Sequence, residues 1–187
     1  MNWLVHRIAS RALERVVADY ARGVILDIGC GDKPYEKMLE PYESEHIGMD
    51  HEGTLHDLSK ADIKGEAYAI PLDDESVDTV FCTAVLEHLE DPARALSEAY
   101  RVLKRGGHAI YTAPLFWHHH EEPRDFFRYT PYGLGYLFSN AGFEVIEILP
   151  LSGFWVTFGQ ELVYYIWRFR RGAWQIPCGG RSPYWVD

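Results

Sequence analysis

Apolar residues in the first twenty positions recur every three or four places, at Trp3, Leu4, Ile8, Ala12, Leu13, Val16, Val17 and Tyr20, with Arg7, Arg11, Glu14, Arg15 and Asp19 between them. That period predicts an amphipathic helix lying on a larger body. The pattern changes at Val24–Ile28, a short β-branched run that stops at Gly29-Cys30-Gly31, as a buried parallel strand does when it feeds a tight turn. Beyond the turn, Pro34 marks the start of a short helix running to about Glu40, because the missing proline N–H costs nothing in a first turn. Further short apolar segments at His46–Met49, Ser76–Cys82, His108–Ala113 and Phe143–Leu149 read as strands.

Two helices between these segments are well punctuated. One begins at Asp91-Pro92, carries Leu96, Ala99, Val102 and Leu103 on one face, and is expected to end on Lys104-Arg105 before Gly106-Gly107. The other runs from Thr130-Pro131 to Asn140 and is closed by Gly142. Strands alternating with helices predict an α/β fold, doubly wound, with a mostly parallel sheet covered by helices on both faces. A single domain is expected, with a core over 24–113, a loop over 114–130 and a C-terminal helix and tail over 150–187; no internal repeat or low-complexity linker divides it.

Composition narrows the partners. A net charge of −10 over 187 residues repels a phosphate backbone and disfavours nucleic acid, leaving a small molecule as the better ligand. Cys30, Cys82 and Cys178 are odd in number and widely spaced, which argues against a disulfide framework or a zinc knuckle. The charged residues of the first helix interrupt any signal-peptide apolar core, so the expected location is cytoplasmic.

The chemistry starts at the first turn. Gly29 and Gly31 allow a sharp bend and leave no Cβ between backbone and ligand. Asp50 closes the next strand, where a carboxylate can accept from both hydroxyls of a ribose. Asp32-Lys33-Pro34 supplies no third glycine for packing around a pyrophosphate, so a nucleoside without phosphates is favoured over a dinucleotide, and an oxidoreductase is disfavoured.

Leu26–Gly31, Gly65–Leu72, Ser76–Phe81, Val85–Pro92 and Arg101–Gly107 together resemble, in order and spacing, the successive motifs of the class I, Rossmann-like methyltransferases that use S-adenosylmethionine (SAM). The resemblance implies that Asp27, Gly29, Cys30 and Gly31 form the loop beside the methionine part of SAM. It places Asp50 on the ribose, Glu66 on the adenine amino group and the Ala67 N–H on a ring nitrogen. Glu66 stands where the family usually has Asp. Thr83, Ala84 and Val85 would lie under the methionine and methyl group, and His88 either joins them or makes a structural hydrogen bond at the start of a helix. The product would be S-adenosylhomocysteine. A SAM methyl is already activated, so the protein has chiefly to align a nucleophile and exclude water.

Acceptor-side candidates crowd the segment Pro114–Thr130, which resembles a lid found in a bacterial subgroup of the family, with its His, Glu, Pro, Asp and Arg-Tyr-Thr-Pro pattern. His119, His120, Asp125, Arg128 and Tyr129 are assigned there as catalytic, without separate roles. Alternate histidines such as His118 and His120 could converge on a metal with Glu121 or Glu122, but an ion-pair network of Glu121, Asp125 and Arg128 is the preferred reading and no metal is assigned. The acceptor is expected to be a small or lipid-linked molecule. A non-catalytic SAM-binding module acting through a protein partner is the alternative.

Phe154–Phe169 is rich in large apolar residues but, with Gln160 and Glu161 inside it, falls short of a membrane span. Packing on the sheet or in a homodimer is the first expectation for 154–174; peripheral contact with the inner membrane face, through Arg168, Arg170 and Arg171, is the second. The resembled family ends in a seventh, antiparallel strand. None is convincing here, unless Trp174–Val186 supplies an irregular one.

Overall fold

The computed structural model describes residues 3–53 and 58–170, so the expected tail and any strand within Trp174–Val186 lie outside the described residues. Helix α1 spans Trp3–Tyr20, as its apolar period predicts, and leads into strand β1 at Gly23–Ile28. A short helix α2 (Glu36–Leu39) precedes β2 (Glu43–Asp50), followed by the two-residue β3 (Ile63–Lys64) and by β4 (Val77–Thr83). Helix α3 (Pro92–Val102) joins β4 to β5 (Leu103–Thr112), and helices α4 (Pro131–Asn140) and α5 (Phe154–Arg170) complete the described chain.

The five strands lie in the order β3-β2-β1-β4-β5, all pairs parallel. Order reverses between β1 and β4, and in open α/β sheets a ligand crevice forms beyond the carboxyl ends of strands at such a point. Because successive strand residues face opposite ways, Ile25, Phe81 and Ile110 meet Leu13 and Val17 of α1, while Leu26, Ile28, Val80 and Cys82 meet Ala99 and Val102 of α3. The doubly wound, two-faced α/β architecture is therefore present.

Capping follows the expected chemistry. The Asp91 side chain accepts from the Arg94 N–H with Pro92 behind it, and the Thr130 hydroxyl accepts from the Gly133 N–H. Two expectations need correction. Helix α3 ends at Val102, not on a glycine cap; Leu103 is already extended, and Lys104-Arg105-Gly106-Gly107 belong to β5. A Cβ on Gly107 would lie 2.8 Å from the Asp78 backbone oxygen, so the glycine serves the close approach of β5 to β4. Phe143–Leu149 forms no strand. It stands across a cavity of about 970 Å³ from the edge of β5, too far to pair, and Ile146 and Leu149 are exposed.

No helix among the described residues is long and apolar enough to cross a membrane. Helix α5 is held by polar contacts: the nearly buried Glu161 carboxylate lies 3.1 Å from His118 Nδ1, and Tyr164 stacks on the His118 ring at 3.7 Å.

Candidate functional site

The Gly29–Gly31 turn is bolted to β2. Both the Gly29 and Cys30 N–H groups donate to the Met49 carbonyl, at 2.8 and 3.1 Å. Gly29 has φ +70° and Gly31 φ +48°, in the left-handed region. A Cβ on Gly29 would sit 2.3 Å from a Val85 methyl, so the turn leans directly on the segment after β4. Asp50 is 5 % exposed; its Oδ2 accepts from the Gly31 N–H at 3.0 Å and its Oδ1 from the His51 N–H at 2.8 Å. A carboxylate offers about four acceptor directions, so each oxygen keeps one for a ligand hydroxyl.

Beneath the turn, buried Asp27 lies 3.3 Å from His46 Nε2; burial pushes its carboxyl above the ordinary value, and His46 opposes that shift. Lys33 is buried as well, bridging the His46 carbonyl and the Asp62 carboxylate through space left by Gly48, where a Cβ would lie 2.4 Å from Lys33 Cε. Nothing in the sequence pattern singled out the Lys33–Asp62 link. The Cys30 thiol is buried and its pKa is pushed up to about 12 by desolvation. Its N–H is already used, and its carbonyl accepts from the Lys33 N–H at 2.8 Å.

Opposite the turn, Thr83 ends β4 and Ala84 takes φ +53°, its N–H donating to Thr112. A non-glycine residue held there costs about 1–2 kcal/mol and bends the chain so that Val85 faces Gly29. Glu66, Val85 and His88 line one cleft of about 280 Å³. Tyr68 and Arg124, not singled out in advance, line it with them, as does Glu121 of the lid. Ala67 is half-buried beside Glu66.

The lid candidates separate into two groups. Arg128 has all five donors engaged: two on Asp125 at 2.6 and 2.8 Å, the others on the Trp117, His118 and Phe127 carbonyls. The guanidinium holds the Asp125 carboxyl well below the usual carboxylate range. Tyr129 is buried and its hydroxyl donates to the Leu86 carbonyl at 2.8 Å, while burial pushes its pKa far up. Asp125, Arg128 and Tyr129 therefore clamp the lid and offer little to an acceptor. The preferred ion-pair network thus exists between Asp125 and Arg128; Glu121 instead faces His88, Oε2 to Nε2 at 3.8 Å.

His119 points outward, with Nδ1 3.4 Å from Asp125 Oδ2. His120 turns inward and meets two residues from the other side of the cleft. Its Nε2 lies 3.8 Å from Glu87 Oε1, and the His88 Nε2 lies 3.9 Å from the same oxygen. The two rings meet edge to face, centroids 4.7 Å apart. Glu87 is 1 % exposed, holds the His120 imidazole above its ordinary pKa, and has an Oε2 without any hydrogen-bond partner. The lid is registered on this residue by backbone too: the Phe126 and Phe127 N–H groups both donate to the Glu87 carbonyl. Of the alternate histidines that could have converged on a metal, His118 instead meets Glu161 of α5.

Comparison with known proteins bears on the fold that carries these residues. Residues 26–111 match the family model described as a methyltransferase domain. Over 96 residues the chain is 34 % identical to a probable S-adenosylmethionine-dependent methyltransferase of Mycolicibacterium smegmatis, covering 48 % of this chain and 37 % of that protein. The chain thus spans well under half the length of that relative. A SAM-dependent methyltransferase of Thermotoga maritima superposes with a TM-score of 0.58 at 27 % identity, over 76 % of this chain and 75 % of that one. One from Mesorhizobium loti superposes with a TM-score of 0.59 at 19 % identity, over 84 and 92 % respectively, which supports the fold. Residues 26–111 therefore match a methyltransferase domain, and the described chain has the Rossmann-like fold of the SAM-dependent enzymes.

Proposed function

We propose that the chain transfers a methyl group from SAM to a small or lipid-linked acceptor bound under the 114–130 lid. The observation that carries this reading is the placement of Asp50: its carboxylate ties the glycine turn to β2 and retains acceptor directions for a ribose, beside a cleft whose rim carries the Glu66 carboxylate. The residues present suit a nucleoside. Glu66 is exposed and free to accept from an adenine amino group, Ala67 can donate its N–H, and Gly29 keeps Cβ atoms out of the turn.

SAM supplies a methyl carbon already activated by its sulfonium. The protein's contribution is therefore positioning. Asp50 and Glu66 fix the nucleoside; Val85 and Ala84 set the floor where the methyl would lie; the clamped lid covers that floor and excludes water. Of the residues assigned to the acceptor side, His120 is the one the structure turns toward the cleft wall beside His88.

Calorimetry with SAM, its demethylated product and NAD tests the reading. SAM-type ligands are expected to bind and NAD not. Asp50→Asn weakens SAM by about 1–3 kcal/mol, since hydroxyl hydrogen bonds go unmade. Glu66→Ala, at an exposed position, weakens SAM less and leaves the melting temperature unchanged, which separates ligand contact from loss of the turn. Equal SAM affinity in both variants and the parent would remove the assignment.

A further inference from the structure

We infer that Glu87, His88 and His120 form a divalent-cation site in the wall of the cleft, and that the acceptor is a hydroxyl compound whose oxygen binds that cation. Three ligand atoms, one from each residue, lie within 4.8 Å of one another. That spacing needs only a small contraction to place nitrogen and oxygen about 2.0–2.2 Å from a shared ion.

The hydrogen bonds behind the rings point the same way. His88 Nδ1 lies 2.5 Å from the Arg124 carbonyl and His120 Nδ1 lies 3.2 Å from the His118 carbonyl. A carbonyl oxygen only accepts, so each Nδ1 donates there and each ring aims its Nε2 at the cluster. Histidines that bind metals are oriented by such outer contacts. Both Nε2 atoms converge on Glu87 Oε1, at 3.9 and 3.8 Å. Glu87 is 1 % exposed, and its Oε2 has no hydrogen-bond partner among the described residues, so the carboxylate has an unmet demand aimed into the cluster. Glu121 Oε2, 3.8 Å from His88 Nε2, brings a second carboxylate at the solvent side. Two carboxylates can balance a dication, and the mixed nitrogen and oxygen set suits Zn²⁺, Mn²⁺ or Fe²⁺ better than Ca²⁺.

The position gives the ion its use. His88 and Glu121 line the same cleft as Val85 and Glu66, so an ion held here keeps its open face toward the acceptor. A cation-bound hydroxyl loses its proton far more readily, and that proton passes to solvent water. The oxygen then forms its bond to the methyl carbon as the carbon–sulfur bond breaks, the electron pair staying on sulfur. No protein base is required, which fits a lid whose Tyr129, Asp125 and Arg128 are consumed in clamping it. The acceptor half of this inference rests on the methyltransferase reading; the cation half does not.

The test uses tag-free, chelator-treated protein titrated with Co²⁺ and followed by visible absorption and thermal melting. One equivalent is expected to give ligand-field bands and a raised melting temperature. His120→Ala, a lid residue whose loss leaves the core intact, weakens Co²⁺ at least about ten-fold, and Glu87→Gln does the same if it folds. SAM calorimetry on the same samples separates the two readings: SAM binding without a cobalt signal overturns the cation site alone, and cobalt binding without SAM overturns the cofactor alone. Absent bands in the parent protein, or unchanged bands in His120→Ala, would mean that protons alone supply the charge and the site is an ion pair.

Discussion

Gly29→Ala is expected to abolish SAM binding and to lower stability by about 2–5 kcal/mol. Two costs combine at this position. The backbone has φ +70°, which costs a side chain about 1–2 kcal/mol, and the new Cβ would stand 2.3 Å from a Val85 methyl, an overlap that costs about 1–3 kcal/mol to relieve. Gly106 separates the two. It has φ +72° and nothing within 4 Å of its Cβ position, so Gly106→Ala carries the conformational cost alone. Urea unfolding of both variants gives the Val85 overlap as the difference. Gly29→Ala combined with Val85→Ala recovers most of that difference, because the opposing methyls are gone. Parallel losses at Gly29 and Gly106, with no recovery in the double variant, would mean that the turn does not lean on the segment after β4.

What could be read in advance divides along the range of the forces involved. The span of α1, the Asp91-Pro92 and Thr130-Pro131 helix starts and the alternation of helix and strand are decided within a few residues, by periodicity and by side chains that bond their own backbone. The glycine turn and Asp50 were legible because they meet through one strand pair, β1 with β2. Where the outcome depends on a distant neighbour, the local signal misleads. Phe143–Leu149 has a strand's composition, but β-structure needs a partner, and the edge of β5 lies across a cavity. Lys104-Arg105-Gly106-Gly107 has the look of a helix end, but pairing with β4 draws it into the sheet. The two-residue β3 carries no period at all. The cluster at Glu87 lay further out of reach. Its histidines come from a 3-10 turn after β4 and from a lid 32 positions later, and long-range bonds such as those from Phe126 and Phe127 to the Glu87 carbonyl bring them together.

The same lid supplies the second large effect. Arg128→Ala is expected to release it, at a cost of about 3 kcal/mol. The Asp125 side chain is 2 % exposed, so losing its partner strands a buried carboxylate, while Arg128 is itself a quarter exposed, which holds the cost at the low end of about 3–5 kcal/mol. Arg128→Lys recovers only part, since an ammonium cannot reproduce two parallel bonds and three carbonyl contacts. The pH dependence carries a sign. Asp125 titrates below its unfolded value of about 3.9 because Arg128 favours the charged form, so its contribution is complete above that value and is lost as pH falls below it toward the folded pKa. Parent protein and Arg128→Ala should therefore differ most near neutral pH and converge in acid. Limited proteolysis across 114–130 locates the change: the variant is cut there while the 26–111 core persists. A pH-independent gap between the two proteins, with no new cleavage in the lid, would show that the ion pair does not hold the lid closed, and the water-excluding role given to this segment would go with it.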